Sequence, residues 1–289
     1  MQGVAYGTGP TVERSNTVAN PMASRDYAVT ASTVVFRVVR EELCVGLPRV
    51  QFGASMRRSV PFARPDAQAL DTGLDAAARV AAAHAVPVRE IVRVGSAGVR
   101  VVPGGTDDAA ATLHVVSWAI ARPIVGGAGA AQSVEAEEHF VPLGSLPELD
   151  ESTRTILACA FDAFLDVTLA DALTRRLLPR HVLFRKTDGF NGRSPFEKAL
   201  GNGVETPGEP EVPLFVGLLP DPFPLSSLRE LYERLLGAPL DRGNFRRQFH
   251  EVIANGPVKA LPIYERGVPH RAGQLFTFDR AAWARFAAK

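Results

Sequence analysis

The stretch FPLSSLRELYERLLGAPLDRGNFRRQF, residues 223–249, decides how this chain is read. Leu228, Leu231, Tyr232 and Leu235 fall at i, i+3, i+4 and i+7, the spacing of an amphipathic helix. That helix is predicted over 226–237, with Ser226 as its N-cap and Gly237 as its left-handed stop. After the turn Ala238–Pro239–Leu240, Asp241 is placed to cap a second helix, DRGNFRRQFHEVI. At 100° per residue, Phe245, Phe249, Val252 and Ile253 share one face of it, and Gly243, Asn244, Arg247, His250 and Glu251 share the other. Arg242 and Arg246 border the apolar stripe.

Two helices joined by a short turn, the second with arginines outward, meet the demands of major-groove reading. The groove admits one helix, arginine can pair with a guanine edge in two hydrogen bonds, and asparagine can do so with adenine. Asn244, Arg247 and His250 are therefore the candidate base readers, and Arg242 and Arg246 the candidate phosphate contacts. Downstream, VKALPIYERGVPHRAGQLFTF (258–278) reads as two short strands around a basic turn, which makes a wing. Arg266, His270 and Arg271 are its candidate DNA contacts.

Charge is distributed to match. The net formal charge is only +1, but residues 221–289 hold 11 Lys/Arg against 7 Asp/Glu, while residues 1–150 hold 13 against 15. The basic excess thus lies where a phosphate-binding surface needs it. Cys44 and Cys159 stand in no metal-ligand or CxxC spacing and are expected as reduced, buried thiols. No segment reads as membrane-spanning or as a secretory leader, so a bacterial cytoplasmic location is expected.

Upstream, residues 1–26 lack periodicity and read as a disordered arm. VTASTVVFRVV (29–39) is expected as a strand, with LCVGLPRV (43–50) as its antiparallel partner. Residues 67–86 carry Leu70, Leu74, Ala77 and Ala81 at helical spacing. Two further strands are expected at 91–102 and 111–123, another at the start of HFVPLGSLPEL (139–149), and one long helix over 154–178. Residues 187–212 are rich in Gly, Pro, Asn and Glu and read as a flexible insertion or linker. PLFVGLLP (213–220) is expected as a last strand before the C-terminal domain.

The run FPLSSLRELYERLLGAPLDRGNFRRQF resembles the C-terminal domain of the Nudix-related transcriptional regulators of NAD metabolism, the NrtR group. Its YERLLG helix and DRGNFRR helix follow the family pattern, and PLFVGLLP matches the segment leading into that domain. The end of the wing, GVPHRAGQLFTF, departs from the family's GRPAxLYRF-like strand. The resemblance implies an α+β chain: a Nudix-like α/β/α sandwich over 27–186 that binds an effector, and a winged helix-turn-helix over 213–289. It further implies a homodimer on a palindromic operator in double-stranded DNA, acting as repressor of NAD biosynthesis or salvage genes.

A catalytic Nudix domain holds Mg²⁺ on glutamates clustered along one helix face, because hard cations require oxygen ligands. The corresponding stretch here is VPFARPDAQALDTGLDAAARVAAAHAVP (60–87). Its alignment keeps Arg79 in the arginine place but sets Val80, Ala83 and His84 where the glutamates belong. Loss of those ligands implies a sensor, not a hydrolase. The box looks closer to the degenerate NadQ-type regulators of α-proteobacteria. No cofactor is required; the implied effector is ADP-ribose or a related adenine nucleotide, with Arg64 and Arg79 as candidate ligand-binding residues. An exposed loop arginine is the alternative reading of Arg64, and a structural pairing with a nearby carboxylate that of Arg79.

Two other functions stay open at the level of sequence: a nucleoside-diphosphate-sugar pyrophosphatase with atypical metal ligands, and a protein-interaction scaffold without either activity. His84, His114, His139 and His181 lack ligand spacing. The Gly-rich GGAGAA (126–131) lacks a P-loop setting and reads as a hairpin loop. EAEEH (135–139) reads as a solvated acidic turn.

Overall fold

The computed structural model describes residues 28–52, 54–64, 73–102, 111–124, 137–178, 211–265 and 273–287. The expected arm at 1–26, the GGAGAA segment and most of the 187–212 stretch lie outside them.

The N-terminal domain is built on β1 (Ala28–Val39), whose interior is buried almost without interruption. It is a central strand: β2 (Glu42–Gly46) pairs with it antiparallel, and β7 (Thr112–Ala121) pairs with it parallel. The five-strand path runs β6-β7-β1-β2-β8, with β6 spanning Ile91–Val102 and β8 Phe140–Pro142. The short β5 (Phe62–Ala63) pairs with the start of β1. Residues 49–50, expected to continue the partner strand, instead enter a separate hairpin of β3 (Arg49–Phe52) and β4 (Ser55–Arg58).

A strand that is apolar on both faces needs cover on both. On one face lies α1 (Gly73–Ala82), whose Ala82, with Ala85 and Val86 after it, packs against Val35, Ala119 and Phe140. On the other lies α2 (Glu151–Ala170), whose Phe164 stacks on Phe36 at 4.4 Å and meets Trp118 edge-on at 5.6 Å. Trp118 in turn lies across Gly95 of β6, where any Cβ would come within 2.1 Å of the indole. The α/β/α layering expected for 27–186 is present.

The long helix expected over 154–178 is broken. Asp171 leaves helical geometry (φ −68°, ψ 146°) and caps a second, short helix, α3 (Ala172–Leu177), by accepting from the backbone N–H groups of Leu173 and Thr174. An aspartate competes well for such a cap. PLFVGLLP also differs from the strand expected for it: Phe215–Leu218 is a single helical turn, α4, with Phe215 and Leu218 buried. A short apolar run does not distinguish a buried turn from a strand; packing decides.

The C-terminal domain comprises β9 (Phe223–Pro224), α5 (Leu225–Leu236), α6 (Arg242–Asn255), β10 (Val258–Tyr264), β11 (Gln274–Phe278) and α7 (Arg280–Ala287). It packs on the α2 side of the sheet, and one hydrophobic core runs from Val34 and Trp118 through Leu177 to Phe249 and Trp283. Both cysteines are buried, as expected, and burial pushes the Cys44 thiol up to about 11.

Candidate DNA-binding and effector sites

In the C-terminal domain α5 buries Leu228, Leu231, Tyr232 and Leu235 and stops at Gly237 in the left-handed conformation (φ 62°). Its N-cap is Pro224 rather than Ser226, and no side chain caps it; the helix begins one residue before Ser226, which lies inside its first turn. Glu233 ties the turn to the helix, accepting from Leu240 N at 2.8 Å and from Arg229 Nη1 at 2.6 Å. The two helices therefore form one stapled unit.

Asp241 caps α6 as the sequence implied, accepting from Asn244 N at 2.8 Å. Phe245, Phe249 and Val252 are buried, with Phe249 edge-on to Phe276 at 4.9 Å and Phe245 near Tyr232 at 6.2 Å. Arg242, Asn244, Arg246, Arg247 and His250 are all exposed. The Nε of Arg246 donates a long hydrogen bond to His250 Nε2 (3.4 Å), which lines the two side chains along one ridge of the helix. Among the described residues, neither Arg242 nor Arg247 has a carboxylate partner. Their charges are available to an incoming polyanion.

β10 and β11 pair antiparallel, and β11 also pairs with β9, giving a three-stranded sheet. Arg266, His270 and Arg271 lie outside the described residues, between β10 and β11 in the sequence. β10 is exposed on both faces from Lys259 to Tyr264 apart from the half-buried Leu261. Ile263 and Tyr264, 47% and 59% exposed, add an apolar surface beside the basic residues that the sequence singles out. The loss of alternation in KALPIY is its signal in the sequence.

The junction with the N-terminal domain is polar at one point. Thr174 Oγ1 donates to the Asp171 carboxylate in a very short contact, so its lone pairs are left to accept from the Tyr232 hydroxyl at 2.7 Å. Thr174 and Tyr232 are both fully buried. Burial raises the Tyr232 hydroxyl well above its ordinary value, with the Asp171 charge adding to the effect. Burial also raises Asp171, against the hydrogen bonds it accepts. On the other flank, Arg93 of β6 binds the Val212 carbonyl at 3.1 Å and the Glu211 carboxylate, and Trp283 Nε1 donates to the Glu211 carbonyl. Glu211 and Val212 are thus pinned between the two domains.

In the box region α1 ends at Ala82, and Ala83 and His84 follow it in an exposed turn closed by bonds to Arg79 and Ala81 carbonyls. Val80 is 56% exposed on the helix. Arg79 is half-buried on α1, and Arg64 is exposed just past β5. Residues 65–72, which would complete the loop, lie outside the described residues. Among the described residues there is no group of three or more His, Cys, Asp or Glu side chains placed to hold a metal. Of the acidic turn EAEEH, Glu137 pairs with Arg40 and Glu138 with Arg49. His114 sits between two hydroxyls, its Nδ1 within 2.9 Å of both Thr30 Oγ1 and Ser32 Oγ, and burial holds it below its ordinary pKa. Beneath the sheet, the buried Arg37 pairs with Glu90 at 2.7 Å and lies over the Phe140 ring.

Comparison with known proteins fits this geometry. Residues 215–278 match the family model described as the NrtR DNA-binding winged helix domain. The C-terminal domain has the winged-helix architecture of that family. The chain is similar in fold to Shewanella oneidensis NrtR, solved in complex with a 27mer DNA, at 16% identity, with TM-score 0.55 and coverage of 88% of this chain and 95% of that one. A second structure of Shewanella oneidensis NrtR superposes at TM-score 0.53 with the same identity and coverage. A MutT/nudix family protein from Enterococcus faecalis aligns at TM-score 0.44 and 12% identity, covering 88% of each chain. No curated protein matches the chain by sequence. The chain shares the fold of Shewanella oneidensis NrtR, an α/β/α domain joined to a winged helix. No helix of the described residues is long and apolar enough to cross a membrane.

Proposed function

We propose that this chain is a ligand-responsive transcriptional repressor of NAD biosynthesis or salvage genes. It binds a palindromic operator as a homodimer, and its Nudix-like domain senses ADP-ribose or a related nucleotide without hydrolysing it. The observation that carries the reading is the exposed ridge of α6, with Asn244, Arg247 and His250 presented to solvent from a helix locked on its other face by Phe245 and Phe249. Two copies of such a unit add their binding energies on a two-fold site, whereas one unit alone covers little DNA.

Val80, Ala83 and His84, where the catalytic glutamates would stand, support sensing over hydrolysis: alanine and valine offer no oxygen to magnesium. Arg64, exposed just past β5, and Arg79 on α1 are the candidate ligand contacts of this reading. Kinship to the NadQ-type regulators is part of the same proposal.

The test is a gel-shift on the DNA upstream of the chain's own gene, repeated with ADP-ribose, NAD, ATP and nicotinamide mononucleotide. A specific complex at least about 10³-fold tighter than on random duplex, weakened by one of these nucleotides, is expected. Equal binding to any duplex would sink the regulator reading, and cleavage of ADP-ribose in the presence of Mg²⁺ would return the domain to the pyrophosphatases.

A further inference from the structure

Between the two domains lies a cavity of about 920 Å³ that none of the candidate residues above touches. One wall comes from the N-terminal domain: Leu143 and Leu149 from the segment after β8, and Leu157 and Phe161 from α2. The facing wall is the end of α5, with Leu235 and Leu236. It lies on the α2 side of the sheet, opposite the face that α1 covers, so it is distinct from the box region.

Three charged side chains reach this cavity: Arg154 from the first turn of α2, Arg234 from the last turn of α5, and Glu42 from the start of β2. The net sign is positive. Both guanidinium groups are exposed, and neither has a carboxylate partner among the described residues. An apolar chamber with two unpaired arginines from opposite walls is complementary to one kind of molecule. Its apolar body takes the leucine and phenylalanine surface, and its anionic head takes the guanidinium groups.

We infer that this cavity is a binding site for an amphipathic anion: an apolar body, acyl or aromatic, with a carboxylate or phosphate head. A free nucleotide fits the walls poorly, because its sugar hydroxyls and diphosphate would lose their water against leucine side chains that offer no hydrogen bonds. The occupant touches α5, which Glu233 ties to the turn leading into the α6 reader, so it sits one helix away from the DNA-reading surface.

Titration calorimetry on the full chain tests this with dodecanoate, dodecyl phosphate, dodecanol, inorganic phosphate and ADP-ribose as probes. Dodecanoate or dodecyl phosphate binding once per chain, at least about tenfold tighter than dodecanol, is expected. The two anions separate a carboxylate head from a phosphate head. Arg154→Gln and Arg234→Gln, both at exposed positions, each weaken binding by about tenfold, and Leu157→Trp blocks it by filling the chamber. Leu236→Glu serves as a second blocking variant should Leu157→Trp fail to fold. Equal binding of dodecanol and dodecanoate, or binding unchanged in both arginine variants, overturns the proposal. So does ADP-ribose as the only probe bound and displaced by the blocking variants. A Leu236→Glu chain that splits from dimer to monomer, with no probe bound by the parent, assigns the surface to a second copy instead.

Discussion

Replacement of Arg247 by alanine separates base reading from mere attraction to DNA. Arg247 is exposed on the ridge of α6, three residues beyond Asn244 and three before His250. No carboxylate among the described residues holds it, and the helix is fixed from its opposite face by buried Phe245, Phe249 and Val252. Its loss therefore costs the fold little, within about 0.5 kcal/mol for such a surface position. A two-hydrogen-bond contact to guanine is worth roughly 1–3 kcal/mol, so operator affinity falls about five- to 150-fold per half-site. Arg242→Ala, nearer the backbone, acts differently: it weakens all duplexes alike and lowers the salt slope by about 0.9 per lost phosphate contact. Fluorescence anisotropy on operator and scrambled duplexes, across a salt series, measures both quantities. If Arg247→Ala weakens operator and scrambled DNA equally, with the salt slope reduced, the residue is a phosphate contact and the orientation assigned to α6 is wrong.

Tyr232→Phe removes the hydroxyl that donates to Thr174 at 2.7 Å across the domain junction; a loss of about 1–1.5 kcal/mol is expected in urea unfolding, with the m-value unchanged. A larger loss, with a second transition, would mean the two domains unfold separately once that contact goes. His114 has a folded pKa below its ordinary 6.5, so between the two values the unfolded chain takes up a proton that the folded chain does not. Its contribution to stability is present above 6.5 and fades as the pH falls through that value. Wild-type melting temperature should drop on acidification from pH 7.5 to 5.5, and His114→Gln should flatten that slope; an unchanged slope refutes the assignment.

Much of this protein is legible in one dimension. The i, i+3, i+4 spacing of Leu228, Leu231, Tyr232 and Leu235, the Asp241 cap and the Gly237 stop are local signals, and the structure follows each of them. The exposed face of α6 follows from the same periodicity, since fixing Phe245 and Phe249 inward leaves Asn244, Arg247 and His250 outward. β1 and its antiparallel partner are also plain, from a short run rich in Val and Thr followed by a second apolar run. Those features depend on residues within a few turns of one another.

Tertiary structure decided what short apolar runs cannot encode. PLFVGLLP became a buried helical turn because Phe215 meets Phe223 and Phe278 edge-on, contacts made by residues 8 and 63 positions away. The helix after Leu149 breaks at Asp171 because Thr174 is needed against Tyr232, on a helix far along the chain. The Leu-lined cavity is invisible in sequence for the same reason. Arg154 and Arg234 lie 80 residues apart, and only the packing of the winged helix on the α2 face makes them opposite walls of one chamber. Periodicity records which way a side chain points along its own element; which element it meets there is set by how the layers stack.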